Sequence, residues 1–295
     1  AGGESCAQVN ITEDGNVVVT TGHPDIGGSR ASIANITAEL LGIDINRVSV
    51  TIGDTASIGF SNLTGGSRVL FASAMVVTES TNQVIDILKE RSAKIWGIDK
   101  DAIDWENGVA KPAGDNAGKF KPLTLAEIAD QATPTGGPIG ADHRINTVGA
   151  EGGFATHICD VEVDIELGIA RILKYTAVQD VGRAIHPAYV EGQLQGGVAQ
   201  GIGWALNEEY IYNSKGQLDN PGFLDYRIPV CSDLPMIDTV LVEVPNPKHP
   251  QGVRGVGEVP IVPPLAAIAN AIYNAVGKRF YSLPMSPPKV LEGLE

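Results

Sequence analysis

Three features of the sequence predict an α+β fold. Short alternating strands turn back on themselves, two long helical stretches follow glycine-rich loops, and the fingerprints of a doubly wound nucleotide-binding sheet are missing. Strands are expected at Gln8–Thr12 and Asn16–Thr21, joined by the Asp14-Gly15 hairpin turn. The loop Gly22-His23-Pro24-Asp25-Ile26-Gly27-Gly28 leads into a helix over Ser29–Leu41. Its buried face carries Ile33, Ile36, Leu40 and Leu41, and Gly42 stops it. A strand at Val48–Ile52 and a loop over Gly53–Thr64 come next. Gly65-Gly66-Ser67 then opens a long helix from about Arg68 to Ala93. Asp115–Gly140 is a Gly-, Pro- and Lys-rich surface excursion with one short helix, Leu123–Gln131.

The second half repeats the theme. Ile158, Val161, Val163 and Ile165 mark a strand, Leu167-Gly168 a turn, and Ala170–Val178 the returning strand. After a loop over Asp180–Pro187 comes a glycine-rich helix, Ala188–Leu206. Glu208–Tyr212 and Gln217 flank a turn at Ser214-Lys215-Gly216, and Asp238–Val244 is a further strand. A Pro/Gly loop over Pro245–Pro264 precedes the last helix, Leu265–Val276. The expected division is into two α+β subdomains, 1–150 and 151–295.

Composition narrows the function. Among 295 residues, 35 acidic side chains against 21 Lys and Arg leave a net charge of −14, so no positive field exists for nucleic acid or an anionic membrane. Mean hydropathy is near zero, no run of 18 apolar residues occurs, and AGGESCAQVN lacks the features of a secretory signal; a cytoplasmic protein is expected. Cys6, Cys159 and Cys231 are far apart with no CxxC pair, which suits a reducing compartment. The chain starts without Met, as though partway through something. Its 35 glycines form no low-complexity tract and so serve individual backbone positions.

A phosphate loop, GxGxxG and HExxH are all absent, and the five histidines have no metal-ligand spacing. What remains are the two Gly-Gly-Ser loops before helices. Helix N-termini offer unpaired N–H groups and a positive dipole end to an anionic ligand, although simple capping accounts for each loop taken alone. In Gly192–Gly203, five glycines and three glutamines oppose helix propensity at about 1 kcal/mol per interior glycine. Either close packing or a polar cofactor lying against a bare helix compensates. Glu258, in Gly255-Val256-Gly257-Glu258-Val259-Pro260, is a lone carboxylate among apolar residues. Desolvation would raise its pKa and make it a general base, the alternative being an ordinary surface glutamate.

In this order, Thr21–Ser29, Thr64–Arg68, Glu191-Gly192-Gln193 and Gly255–Glu258 resemble the second molybdopterin-binding region of the molybdenum hydroxylases, the xanthine oxidase and aldehyde oxidoreductase family. The resemblance covers nearly the whole chain. A chain holding only the second region is similar in its division to the medium molybdopterin subunit of the nicotinate dehydrogenases. The resemblance implies molybdenum carried by molybdopterin cytosine dinucleotide, its dithiolene rather than the protein ligating a metal that bears a terminal sulfido or selenido ligand. Gly27, Gly28, Ser29, Arg30, Gly65, Gly66, Ser67, Arg68, Gln193 and Gly257 would contact the cofactor. Glu258 would take the proton from a molybdenum-bound hydroxyl as its oxygen attacks a carbon beside a ring nitrogen, with hydride passing to the terminal ligand. Many relatives have Gly-Gln-Gly where this chain has Gly27-Gly28-Ser29, so a contact at position 28 passes to the backbone, Ser29 or Arg30. Also implied are a large molybdopterin subunit, an iron–sulfur subunit with [2Fe-2S] clusters and an FAD subunit. The implied reaction is oxygen insertion into an N-heterocycle, nicotinate to 6-hydroxynicotinate first. Oxidation of purines such as xanthine, of aldehydes or of carbon monoxide, or a non-catalytic assembly role, are the alternatives. Arg68 and Arg254 are the cations expected to help hold an anionic cofactor in so acidic a chain.

Overall fold

A computed structural model of the chain describes residues 3–53, 56–148 and 152–295. Ala1 and Gly2 of the AGGES start and two positions of the expected 53–64 loop lie outside the described residues. The fold mixes helix and sheet in two compact units: Ala1–Glu151 with Pro245–Val253, and Gly152–Val244 with Arg254–Glu295.

In unit 1, β1 (Gly3–Ile11) and β2 (Val17–Thr21) form an antiparallel hairpin, Val9 opposite Val19, closed where Gly15 adopts φ +76°. Helix α1 (Ser29–Leu41) ends on left-handed Gly42, as expected, and returns the chain to β3 (Val48–Ile52), parallel to β2. The long helix α2 spans Arg68–Trp96. A small antiparallel sheet of β4 (Ile103–Glu106), β5 (Val109–Pro112) and β6 (Leu123–Thr124) follows. Then come α3 (Leu125–Asp130), started by a Thr124/Glu127 capping box, and α4 (Ala132–Thr135). Finally β7 (Ile139–Thr147) pairs with β1, giving the order β3-β2-β1-β7. Alternate strand positions Ala7, Val9, Val17 and Val19 are wholly buried and share a core with Ile33, Leu41, Val76, Val84 and Leu88 of the two long helices.

Unit 2 repeats this order with a smaller sheet. Strands β8 (Ala155–Asp164) and β9 (Ile169–Asp180) form a hairpin, turned by left-handed Gly168 and bulged at Asp160/Val161. Helix α5 (Pro187–Leu206) leads eventually to β10 (Ile237–Val242), parallel to β9. Helices α6 (Pro263–Val276) and α7 (Pro287–Leu294) complete the unit. Tyr175, Val198, Ile202, Ile268 and Ile272 fill the core. By length and composition, Val259–Val276 is apolar enough to cross a membrane; 22% of that window is buried, Ile268 and Ile272 wholly so in this core.

The expected strand pair around Ser214-Lys215-Gly216 is reduced to a single bridge, Tyr212 to Leu218. Side chains replace the ladder: Asn213 Oδ1 accepts from the N–H groups of Lys215 and Gln217. Asn220 accepts from Ile211 N and donates to Glu209 O.

Candidate functional site

Both loops of unit 1 end the same way. Gly27 and Gly28 have φ +60° and +75° before α1; Gly66 and Ser67 have φ +64° and +56° before α2. Left-handed Gly28 and Ser67 each step into the right-handed first residue of a helix, and this left-to-right alternation turns successive N–H groups toward one point, the geometry of an anion nest. A side chain at Gly66 would meet nothing within 4 Å among the described residues, so glycine there answers to its left-handed backbone. Ser67 holds the same conformation without that freedom, a strained position for a side-chain-bearing residue.

The loops differ in what they leave unused. Before α1, the buried Ser29 hydroxyl accepts from Ile26 N and donates to Pro24 O, while Ser29 N donates to Ile26 O. Arg30 N donates to Asp25 Oδ1, and the Arg30 side chain pairs with Asp25 at 3.2 Å on the surface. Ser29 and Arg30 thus knit the loop together, and the groups they can still offer a ligand are few. Arg68 goes further. Only 3% exposed, its guanidinium donates to the carbonyls of Asn62, Leu63, Gly3 and Glu4 and to Ser5 Oγ. The cation expected to meet an anionic cofactor is instead the clamp that closes the 62–68 loop onto β1. Burial lowers its pKa.

Sequence reading missed His23. It lies wholly buried with Nε2 2.9 Å from Ser5 Oγ. Ser5 Oγ accepts from Arg68, so its own proton goes to His23 Nε2, which leaves the ring proton on Nδ1, a buried atom with no hydrogen-bond partner among the described residues. Burial first, and then the positive charge of Arg68, hold its pKa at about 4. Ser5, His23 and Arg68 come from three distant segments, so no local pattern announces them.

In unit 2 the glycines of α5 divide into two kinds. A Cβ on Gly197 would lie 2.5 Å from Pro260 Cγ, and one on Gly201 2.7 Å from Pro264. These two let the segment after Glu258 seat directly on the helix, the close-packing reading. At Gly192 and Gly196 a Cβ would meet nothing within 4 Å among the described residues, as a bare surface for a ligand requires. Gln193 lies one turn before Gly197 on the stripe that receives Pro260, so it shares a face with the Glu258 segment. Gln195 donates to Ile237 O at 3.3 Å. Gly257 is half-buried. Glu258 precedes a short 3-10 turn (Val259–Ile261) and is exposed, not desolvated as its neighbours in sequence led one to expect. Val256 and Val259 are apolar, but burial is decided by what packs over the loop. Arg254, the other expected cofactor cation, is paired with Asp180 at 3.1 Å.

Among the described residues, no group of three or more His, Cys, Asp or Glu stands close enough to hold a metal ion. A cavity of about 860 Å³ in unit 2, bordered by Ile202, Leu206, Phe223, Arg227 and Asp233, includes none of the expected site residues in its lining.

A family model described as the molybdopterin cofactor-binding domain matches residues 1–235. The chain is 30% identical to the putative xanthine dehydrogenase molybdenum-binding subunit of Escherichia coli K12, over 97% of this chain and 39% of that protein. It is 29% identical to the nicotine 6-hydroxylase large subunit of Paenarthrobacter nicotinovorans, over 97% and 36% respectively. The structure of quinoline 2-oxidoreductase from Pseudomonas putida 86 superposes with a TM-score of 0.88 at 27% identity, covering 99% of this chain and 38% of the other. The chain therefore spans under two fifths of the length of each of these relatives.

Proposed function

From the premise that the chain belongs to the molybdopterin cofactor-binding domain family of the xanthine oxidase type, we propose that it is the part of a molybdenum hydroxylase that holds the cofactor's anionic groups and supplies the base. The observation that carries this reading is the pair of left-handed turns that open α1 and α2, formed by Gly27-Gly28 and Gly66-Ser67. The turn before α2 fits a phosphorylated cofactor best, since it turns backbone N–H groups toward one point at a positive helix end, where a pyrophosphate such as that of the cytosine dinucleotide form gains most; before α1, Ser29 N and Arg30 N already donate to Ile26 O and Asp25 Oδ1 and leave less to offer. Gln193 and the open Gly192/Gly196 surface of α5 offer a second, flat contact. When bound, the cofactor supplies the two-electron redox and oxygen-transfer chemistry.

Glu258 is the base. Its carboxylate would take the proton from a water-derived oxygen, and the exposure of Glu258 on a segment anchored at Arg254 and Pro260 supports this reading. The proposed substrate is an N-heterocycle oxidised beside nitrogen, nicotinate first. Two relatives named for nicotine and quinoline support the class. Iron–sulfur clusters and FAD on partner subunits would carry the electrons away, and a large molybdopterin subunit would complete the site. The test is to purify the intact complex, measure molybdenum per chain, and assay nicotinate, xanthine and aldehydes with an artificial acceptor. Turnover of nicotinate is expected; turnover of xanthine or aldehyde alone would move the substrate, and a full complex without molybdenum would overturn the reading.

A further inference from the structure

Arg254 stands four residues before Glu258, separated from it by Gly255-Val256-Gly257, a stretch whose two glycines give the backbone wide freedom. Where Glu258 points therefore depends on how firmly the chain is fixed at each end of that stretch. On the far side, Pro260 seats against Gly197 of α5. On the near side is a buried ion pair: Arg254 Nε lies 3.1 Å from Asp180 Oδ2, with each side chain 10% exposed. The guanidinium also donates to Gly152 O at 3.0 Å and Val244 O at 3.4 Å, while Arg254 N donates to Val181 O. Asp180, the last residue of β9, accepts from Gly182 N at 3.0 Å and Val244 N at 3.4 Å. One carboxylate and one guanidinium thus tie together the segment leading into β8, the carboxyl ends of the parallel strands β9 and β10, and the start of the Glu258 loop.

We infer that Asp180 and Arg254 are a positioning pair that sets the placement of Glu258. This rests on the reading of Glu258 as the base. Arg254 contributes no free positive charge to the cofactor, because Asp180 neutralises it. A buried pair of this kind is a poor source of net stability but a strict one of geometry: either partner left alone is an uncompensated buried charge. Misplacement of a reacting group by an ångström is enough to slow a reaction by orders of magnitude.

The test uses the intact complex carrying Asp180→Asn, Arg254→Lys or Glu258→Gln, followed by peptide-resolved hydrogen exchange, molybdenum content and turnover of whichever of nicotinate, xanthine or aldehyde the wild type oxidises. Asp180→Asn is expected to speed exchange in the peptide spanning 254–261 about tenfold and to leave α5 and α6 unchanged. It should lower kcat about tenfold or more, with KM and molybdenum content unchanged. Arg254→Lys keeps the charge but loses the planar fork, so it should fall between wild type and Asp180→Asn. If Asp180→Asn does not assemble, Arg254→Lys carries the same exchange measurement. Unchanged exchange at 254–261, an equal rise across all of unit 2, or a loosened loop with wild-type kcat overturns the inference. A Glu258→Gln complex that keeps wild-type turnover overturns the reading beneath it instead, and loss in Glu258→Gln without any effect of Asp180→Asn overturns only the positioning pair.

Discussion

Units 1 and 2 pass through the same sequence of elements: a hairpin, a helix, a strand parallel to the hairpin's second strand, a loop and another helix. They differ in how their helices begin. In unit 1, α1 and α2 each start from a left-handed pair of residues without proline, so no donor is lost to an imide at either start, although before α1 Ser29 N and Arg30 N already donate to Ile26 O and Asp25 Oδ1. In unit 2, α5 opens on Pro187 and α6 on Pro263-Pro264, which removes donors from both ends; the loop before α6 presents a carboxylate, Glu258, in their place. The same order of elements thus starts its helices with and without proline in the two units. The clamps differ in what they grip: Arg68 donates to backbone carbonyls and the Ser5 hydroxyl, and Arg254 pairs with a carboxylate.

If unit 1 binds and unit 2 reacts, variants in the two should fail differently. Glu258→Gln should lower turnover per bound molybdenum by roughly 10²- to 10⁴-fold, the range for removing a general base, with molybdenum content unchanged. Gly66→Ala should do the reverse. Forcing a Cβ into the left-handed region costs about 1–2 kcal/mol, so molybdenum content falls while turnover per molybdenum holds. Metal analysis beside steady-state rates separates the two, and matching patterns from both variants would break the comparison.

The clamps come next. Arg68→Met strands four carbonyls and the Ser5 hydroxyl, and a loss of about 3 kcal/mol or more in urea unfolding is expected. A loss below about 1 kcal/mol would mean that these acceptors find other donors.

Acid should act on unit 1 through His23. Its folded-state pKa of about 4 lies below the ordinary 6.5, so between those values the unfolded chain binds more protons. The stability linked to this group is complete above pH 6.5 and is lost as pH falls toward 4, by on the order of 3 kcal/mol. His157 in unit 2, also held at about 4 by burial, adds a loss over the same window. His23→Gln should flatten its share of the slope; an unaltered slope would show that His23 does not titrate with unfolding.

How much of this was legible depended on whether the signal was local. Gly-Gly-Ser placed the starts of α1 and α2 at Ser29 and Arg68, and alternation placed β3 at Val48–Ile52. Strand β7 was not legible: Asp142, His143, Arg144 and Asn146 obscure an edge strand whose buried positions are Ile139, Ala141 and Thr147. The buried Ser5–His23–Arg68 cluster and the Asp180–Arg254 pair join residues from remote segments, which no periodicity or spacing reveals. Glu258 failed in the other direction, because apolar neighbours along the chain do not bury a residue.

The smallest effects decide what the glycines of α5 are for. Gly197→Ala drives a Cβ to 2.5 Å from Pro260 Cγ, so either α5 or the Glu258 segment must move. A destabilisation of about 1–3 kcal/mol is expected, and because Pro260 is displaced, kcat should fall with it. Gly192→Ala meets nothing within 4 Å and lies in a helix. By propensity alone it should stabilise the isolated chain by roughly 0.5–1 kcal/mol. If the open surface of α5 lies against the cofactor, that same variant should lower molybdenum content in the complex even as the chain becomes more stable. Stability and content moving in opposite directions is an outcome that packing cannot produce. Gain of stability with full molybdenum content would return Gly192 to an ordinary exposed position and leave cofactor binding to unit 1 and Gln193.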